Sequence, residues 1–424
     1  MPTSVSVMEN GIVRVFSLLV LLVCLWVSFK DPRQINVEVV DDHQFGPARE
    51  WDILTQFSSL SEDFGDEDDG IDDTETLNDG EVTGSSLEYD FYRSSCPRAE
   101  KIIHDAVRQM YRRNVSVAPA LVRLVFHDCF IQGCDASILL DPAIGIQSEK
   151  ESPPNDNLRG FHIIDDLKSE IEQVCPGVVS CADIIVLSAR EGILQAGGPF
   201  YPVLTGRRDS LYGYRDIATN ELPSPNADVN QSLSAFASRG FNERELVSLL
   251  GAHSFGVVHC KFFLNRLHNF NGTNQPDPSI DSNFLTQLRT LCDNTTSTSF
   301  QVSSSPSNTS KIINSFVTSP AKATSSLNNS LVSTQDDPSV DMAYQGPGVN
   351  FGLVYYRHLL QQRGILFSDQ QLMANNLTSS WVTTYNSNIS LFLRDFPLAM
   401  MKLSDLKVLT GPSGQIRQTC SKVL

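Results

Sequence analysis

The chain has 424 residues and a formal net charge of −17, long enough for two or three domains. The charge is uneven: residues 1–85 carry 18 Asp and Glu against 4 Lys and Arg, a net of −14, which leaves only −3 for the remainder. A near-neutral body behind an acidic extension argues against nucleic-acid binding, which requires a basic face.

Val15 to Phe29 is almost wholly apolar. Fifteen residues match the core of a signal peptide and fall short of the roughly 20 needed to span a bilayer. Trp26 and Phe29 crowd the positions where small residues would mark cleavage. Residues 1–30 therefore read as a signal peptide or a signal anchor, with anchoring through residues 12–29. Arg14 on one side and Lys30 with Arg33 on the other leave the orientation undecided. Residues 31–85, including EDFGDEDDGIDDTE, hold too little apolar surface for a core and read as an acidic, disordered tether.

The folded part is assigned to residues 86–424. Ala99, Ile102, Ile103, Ala106, Val107 and Met110 recur at helical spacing. A second helix is predicted over Val117–Cys129, and a third is marked by Ile163, Ile164, Leu167, Ile171 and Val174. Ala182–Ala196 is apolar on most faces and reads as a buried helix closed by Gly197 and Gly198. Asn242 followed by Glu245 is a capping-box start for a helix running to Leu250. Further helices are predicted over 350–363 and 378–394, and Tyr201–Leu204 reads as one arm of a small hairpin. The class is mainly α. Residues of about 293–340 turn to Ser, Thr and Asn and read as a flexible exposed insertion.

Eight cysteines lie in this body: Cys96, Cys129, Cys134, Cys175, Cys181, Cys260, Cys292 and Cys420. Cys24 stands apart in the apolar run. Eight cysteines allow 105 pairings, so spacing leaves connectivity open. Their even number, with N-x-S/T sequons at Asn114, Asn230, Asn271, Asn294, Asn308, Asn328, Asn376 and Asn388, predicts the secretory pathway and N-glycans.

The chemistry concentrates in RLVFHDCFIQGCDAS, residues 123–137. Arg123 and His127 are four apart, hence on one helix face, with Phe126 beside them. A buried Arg without a partner is costly, so Arg123 among Leu121, Val122, Leu124 and Val125 implies an anionic or strongly polar ligand. A second histidine, His253, sits in LLGAHSFG. Two histidines on separate helices could bracket a flat cofactor, and a zinc pair fits the spacing almost as well.

RLVFHDCFIQGCDASILLD, EK, PNDNLRGF, CPGVVSCADI, GRRDS, LPSP, GAHSFG, SDQ and GQIRQTC occur in this order. Together they resemble the secreted plant haem peroxidases (class III, the horseradish type) from about Leu87 to Cys420. The resemblance implies helices in two lobes enclosing a haem b, with at most a small β hairpin. It implies a monomer that reduces hydrogen peroxide to water and oxidises phenolic donors in two one-electron steps.

By matching position, His253 is the expected axial haem ligand and Asp369 the carboxylate behind it. His127, Arg123 and Asn155 are the expected peroxide-side residues, with Phe126 beside them and Glu149 continuing the Asn155 network. Pro223 is expected to flank the open haem edge. Asp128, Ile131, Gly133, Asp135 and Ser137 resemble a distal calcium site, the isoleucine and glycine acting through their backbone. The implied disulfides are Cys96–Cys175, Cys129–Cys134, Cys181–Cys420 and Cys260–Cys292.

The sequence departs from the pattern in several places. Ser254 and Asp341 remain of a second, proximal calcium site, but Gly346 and Gly352 replace a Thr and an Asp, so weak or absent calcium binding is expected there. PNDNLRGF lacks a Ser that pairs with a haem propionate, Ala120 replaces another Ser near the propionates, and His259 precedes Cys260 where a small or amide residue is usual. A haem-poor or inactive tethered glycoprotein scaffold is therefore the alternative to an active peroxidase.

Overall fold

The apolar positions of residues 117–129 and 181–195 are buried against each other, and that helix pair carries the architecture. The computed structural model describes residues 87–293, 338–343 and 351–424. The segments assigned to the signal or anchor and to the tether lie outside the described residues. Four helices open the fold: α1 (Ala99–Arg113), α2 (Val117–Cys129), α3 (Phe161–Val174) and α4 (Cys181–Gln195). Every residue of α4 from Cys181 to Ile193 is buried, because α1, α2 and α3 all pack on it. Ser180 caps α4, its hydroxyl accepting from the Asp183 N–H. Pro119 falls in the first turn of α2, where no backbone donor is lost.

The later helices are α5 (Arg215–Glu221), α6 (Val229–Ala237), α7 (Glu243–Leu250), α8 (Leu264–His268), α9 (Ser282–Asp293), α10 (Val354–Leu360), α11 (Phe367–Gln371), α12 (Asn376–Ser387) and α13 (Ile389–Ser404). Asn242 and Glu245 form the reciprocal capping box at the start of α7, and Asp228 with Gln231 forms another at α6. The single helix predicted over 378–394 is two. Asn388 leaves helical geometry, at φ −134° and ψ 88°, and its side chain accepts from the Leu391 N–H to start α13. The helix predicted over 350–363 is shorter, Val354–Leu360; its first residue lies outside the described residues.

Two short antiparallel strand pairs and three isolated bridges are the β structure among the described residues. Strand β1 (Glu88–Tyr89) pairs with β2 (Leu204–Thr205), and β3 (Val257–His259) pairs with β4 (Ser339–Asp341). The Tyr201–Leu204 segment is therefore not an arm of a local hairpin. Only Leu204 of it is in a strand, and its partner comes from the start of the folded part. The segment read as an insertion is ordered at both ends: α9 runs to Asp293 and β4 begins at Ser339, with residues 294–337 outside the described residues. Among those described, the sequon residues Asn114, Asn230, Asn271, Asn376 and Asn388 are exposed. No described helix is long and apolar enough to cross a membrane.

Four disulfides staple the chain: Cys96–Cys175, Cys129–Cys134, Cys181–Cys420 and Cys260–Cys292. The first joins the start of α1 to the end of α3. The third ties the chain's last segment to the start of α4, and the fourth closes the small core around β3, α8 and α9. The motifs GRRDS and GQIRQTC meet beside the third bridge. Asp209 accepts from the backbone N–H of Ala182 and of Arg417, and fully buried Arg207 donates to Asp183 at 2.9 Å. Their work is structural: a buried charge is tolerated only when paired and hydrogen-bonded.

A further, partly buried cluster joins α1 to α4. His104 Nδ1 lies 2.7 Å from Glu191 Oε2, and Arg190 reaches both Glu191 and Glu100, at 2.8 and 2.9 Å. The Glu191 hydrogen bond outweighs burial and the Arg108 charge, with Asp105 helping, and raises the His104 pKa. A raised histidine contributes stability that is complete below its ordinary pKa of 6.5 and is lost as pH rises through the folded value. Between about pH 6 and about pH 9 the wild type should therefore lose more of its melting temperature than His104→Gln does. Equal slopes in a differential-scanning series would remove this assignment.

Candidate active site

The end of α2, the turn after α7, the residues before α3 and those between α5 and α6 surround one cavity. Its volume is about 1490 Å³ counting its open mouth, and its walls are largely apolar, including Phe126, Leu249, Phe255, Phe262 and Leu403. Arg123, His127, Pro223 and His253 all line it. The spacing of α2 puts Arg123 one turn before His127 on the cavity face, while Leu121, Leu124 and Val125 point into the core.

Hydrogen bonds fix the tautomer of His127. The Glu149 backbone carbonyl can only accept, so Asn155 turns its Nδ2 toward it, at 2.8 Å. Asn155 Oδ1 then faces His127 Nδ1 at 2.5 Å and requires a proton there. The other ring nitrogen, Nε2, is left as an acceptor and takes a hydrogen bond from Arg123 Nε at 3.2 Å. Burial, the Arg123 charge second, pushes the His127 pKa down to about 3, so the ring is neutral at ordinary pH. Glu149 extends this chain through its backbone; its side chain accepts instead from the Tyr214 N–H.

Arg123 is held by groups that sequence reasoning missed. Its Nη1 donates to Asn157 Oδ1 at 3.0 Å and its Nη2 to the Pro154 carbonyl at 3.1 Å. The shortened PNDN segment thus positions both the base, through Asn155, and the cation, through Asn157. The signal was present in the second Asn of that motif, but the contact crosses 34 residues. Burial lowers the Arg123 pKa to about 10, which still leaves it charged at neutral pH.

Also on the cavity wall, α7 ends in the turn Gly251–Ser254, which carries His253. A side chain at position 251 would collide with the Tyr356 hydroxyl at 2.5 Å and the Phe392 ring at 2.6 Å, so only glycine allows the turn to sit this close. His253 Nδ1 meets Asp369 Oδ1 at 2.8 Å, and the same oxygen accepts from the Tyr355 hydroxyl at 3.0 Å. Asp369 is buried, and the 35% exposure of the His253 side chain belongs to a ring that lines the cavity. Burial disfavours the charged ring, yet Asp369 outweighs it and the His253 pKa moves up. With Nδ1 committed to the carboxylate, Nε2 is the free nitrogen.

Phe126 stacks on Phe130 at 4.7 Å and lies edge-on to His127. Ala120 sits on α2 beside Gly160. His259 is in β3 opposite Ser339 and is not among the cavity's lining residues.

Beyond α2 the chain forms a tight acidic loop. Asp128 and Asp135 are 0% and 2% exposed, and Asp128 accepts from the backbone of Ala136 and Ile138. Burial, then the charges of Asp135 and Glu149, pushes the Asp128 pKa well up. Burial first, with the Asp135 charge adding to it, raises the Glu149 pKa to about 7. The Ser137 hydroxyl is buried with no hydrogen-bond partner. Gly133 sits at φ +123°, and a Cβ there would lie 2.5 Å from the Lys407 carbonyl. Crowded buried oxygens, with Ser137 Oγ and Glu149 Oε2 unpaired, fit a hard cation that is bound by two carboxylates, a hydroxyl and backbone carbonyls. No group of three His, Cys, Asp or Glu side chains with metal-binding geometry occurs among the described residues, and this loop does not require one.

The second candidate calcium set is looser. The Ser254 hydroxyl accepts from the Gly352 N–H at 3.3 Å, and Asp341 accepts from the Ala343 N–H at 2.7 Å. Gly346 lies outside the described residues.

Comparison with known proteins agrees with this geometry. The fold is helical, and two histidines line one apolar cavity, each ring oriented by a hydrogen bond at Nδ1. A sequence model of the peroxidase family matches residues 103–388. "Putative Peroxidase 48" of Arabidopsis thaliana is 50% identical over 81% of this chain and 84% of its own length. Peroxidase 28 of the same plant is 37% identical over 80% and 94%, and Peroxidase 5 of Vitis vinifera 38% over 79% and 91%. The chain belongs to the plant secretory peroxidases and is a haem peroxidase acting on hydrogen peroxide.

Proposed function

We propose that His253 holds the haem iron through Nε2, and that Arg123, His127 and Asn155 act on peroxide from the other side. The observation that carries this is the pair of opposed hydrogen-bond chains. One leaves His253 Nε2 free to bind a metal; the other leaves His127 Nε2 free to take a proton. Bound there, haem b supplies an iron centre that accepts two oxidising equivalents from peroxide. His127 accepts the proton of one peroxide oxygen and returns it to the other, which leaves as water. Arg123 stabilises the charge that develops as the O–O bond breaks. Asp369 accepts the His253 Nδ1–H, which makes that imidazole a stronger donor. Phenolic donors return single electrons at the cavity mouth, where Pro223 lies.

The alternative of a haem-poor scaffold is not favoured, because all five of these side chains are intact and oriented. Purified protein should show a Soret band and oxidise a simple phenol only when peroxide is added. A colourless, inactive but folded protein would overturn this reading.

Asp128, Asp135 and Ser137, with the backbone of Ile131 and Gly133, are proposed to bind one Ca²⁺ that fixes the end of α2. Extensive dialysis should leave one calcium per chain. Chelation should then lower the melting temperature by at least about 5 °C. Two retained calcium ions would contradict the degraded state assigned to Ser254 and Asp341; none would contradict the distal site. Exposed sequons and four disulfides support N-glycosylation and the secretory pathway, with the apolar run Val15–Phe29 as signal or anchor.

A further inference from the structure

Four aromatic side chains run in unbroken contact from His253 to the surface. Tyr355 lies edge-on to His253 with ring centroids 6.0 Å apart. Tyr356 follows at 5.2 Å, Tyr385 at 5.3 Å and Trp381 at 5.8 Å. All four steps lie within the range of direct aromatic contact. The three tyrosines are buried, and Trp381 on α12 is partly exposed. Leu377, one turn earlier on the same face, is exposed, and Arg244 lies over the indole at 4.8 Å. The surrounding rings Phe351, Phe392 and Phe396 lack a hydroxyl and are much harder to oxidise.

The hydroxyls suit electron passage. Tyr355 donates to Asp369 at 3.0 Å and Tyr385 to Asp395 at 2.8 Å, so each ring is fixed in place within the chain of contacts. Tyr356 donates to the Val247 carbonyl at 3.0 Å and bridges the other two rings by contact with both.

We infer that Trp381 is a second oxidation site, for phenolic groups on macromolecules too large to enter the cavity. The inference rests on the haem position proposed above. Per peroxide, two phenols each lose one electron through Trp381, Tyr385, Tyr356 and Tyr355 to the peroxide-oxidised centre. Each phenolic proton is released to solvent and two solvent protons complete the second water, so one peroxide and two phenols give two phenoxyl radicals and two waters.

The test compares tyramine with tyramine-substituted dextran as donors to the haem-loaded protein. Trp381→Phe should lower peroxide-dependent coupling of the dextran by at least about tenfold and change tyramine turnover by no more than about twofold. Peroxide without donor should leave added oxygen on Trp381 by peptide mass mapping, and Tyr385→Phe should reduce that labelling severalfold. Equal effects on both donors, an unchanged dextran rate, or an unlabelled Trp381 would overturn the inference while leaving the main site intact. Loss of tyramine turnover in the wild type would instead overturn the haem-site reading on which the inference rests.

Discussion

Replacing His127 by alanine should slow the reaction with peroxide by about two to four orders of magnitude, the usual contribution of a positioned general base. The substitution removes the imidazole acceptor nitrogen beside Arg123. It should not remove haem, because His253 and the apolar walls are untouched. The expected signature is therefore an intact Soret band with a collapsed rate in stopped-flow mixing. A loss smaller than tenfold would show that proton transfer does not pass through this ring. Asn155→Val is the finer probe. It deletes the acceptor that keeps the proton on Nδ1, so Nε2 is no longer fixed as the acceptor. It should lose rate in the same direction, by less than the alanine variant.

The second large effect is expected at His253. His253→Ala should yield protein that folds, retains its disulfides and carries little haem, since the free Nε2 is gone. Asp369→Asn keeps the shape but replaces an anion with a neutral amide beside His253 and Tyr355. Loss of an orienting partner typically costs about 10–100-fold in affinity or activity at a metal site. The peroxide rate and haem retention of Asp369→Asn should fall within that range. Full haem retention in His253→Ala would place the cofactor elsewhere.

The legible parts were those encoded locally. The four-residue spacing of Arg123 and His127, the Asn242–Glu245 capping box and the buried face of α4 each need only neighbouring residues, and the structure has all three. The parts that escaped depend on distant partners. Leu204 gave no sign that Glu88–Tyr89 would be its strand partner. Asn157 and Tyr355 became visible as supports only when loops from other parts of the chain met Arg123 and Asp369. The break at Asn388 was a local signal that went unread, because an Asn that caps a new helix looks, in sequence, like a polar position on a continuous one. The cysteine pairing could not be reached from spacing and came only through resemblance.

The short PNDN segment shows why motif matching and structure are both needed. It has lost a side chain that the resemblance leads one to expect against the cofactor, yet it still anchors His127 through Asn155 and Arg123 through Asn157. The deficit is therefore expected in cofactor grip, since the hydrogen bonds to His127 and Arg123 are kept.

The most direct test is a crystal structure of the protein purified with its own cofactor. The account predicts a porphyrin in the cavity, its iron bonded to His253 Nε2, with His127 and Arg123 over the opposite face and no bond from His127 to the metal. Iron bonded to His127, to both histidines, or seated outside this cavity would contradict it.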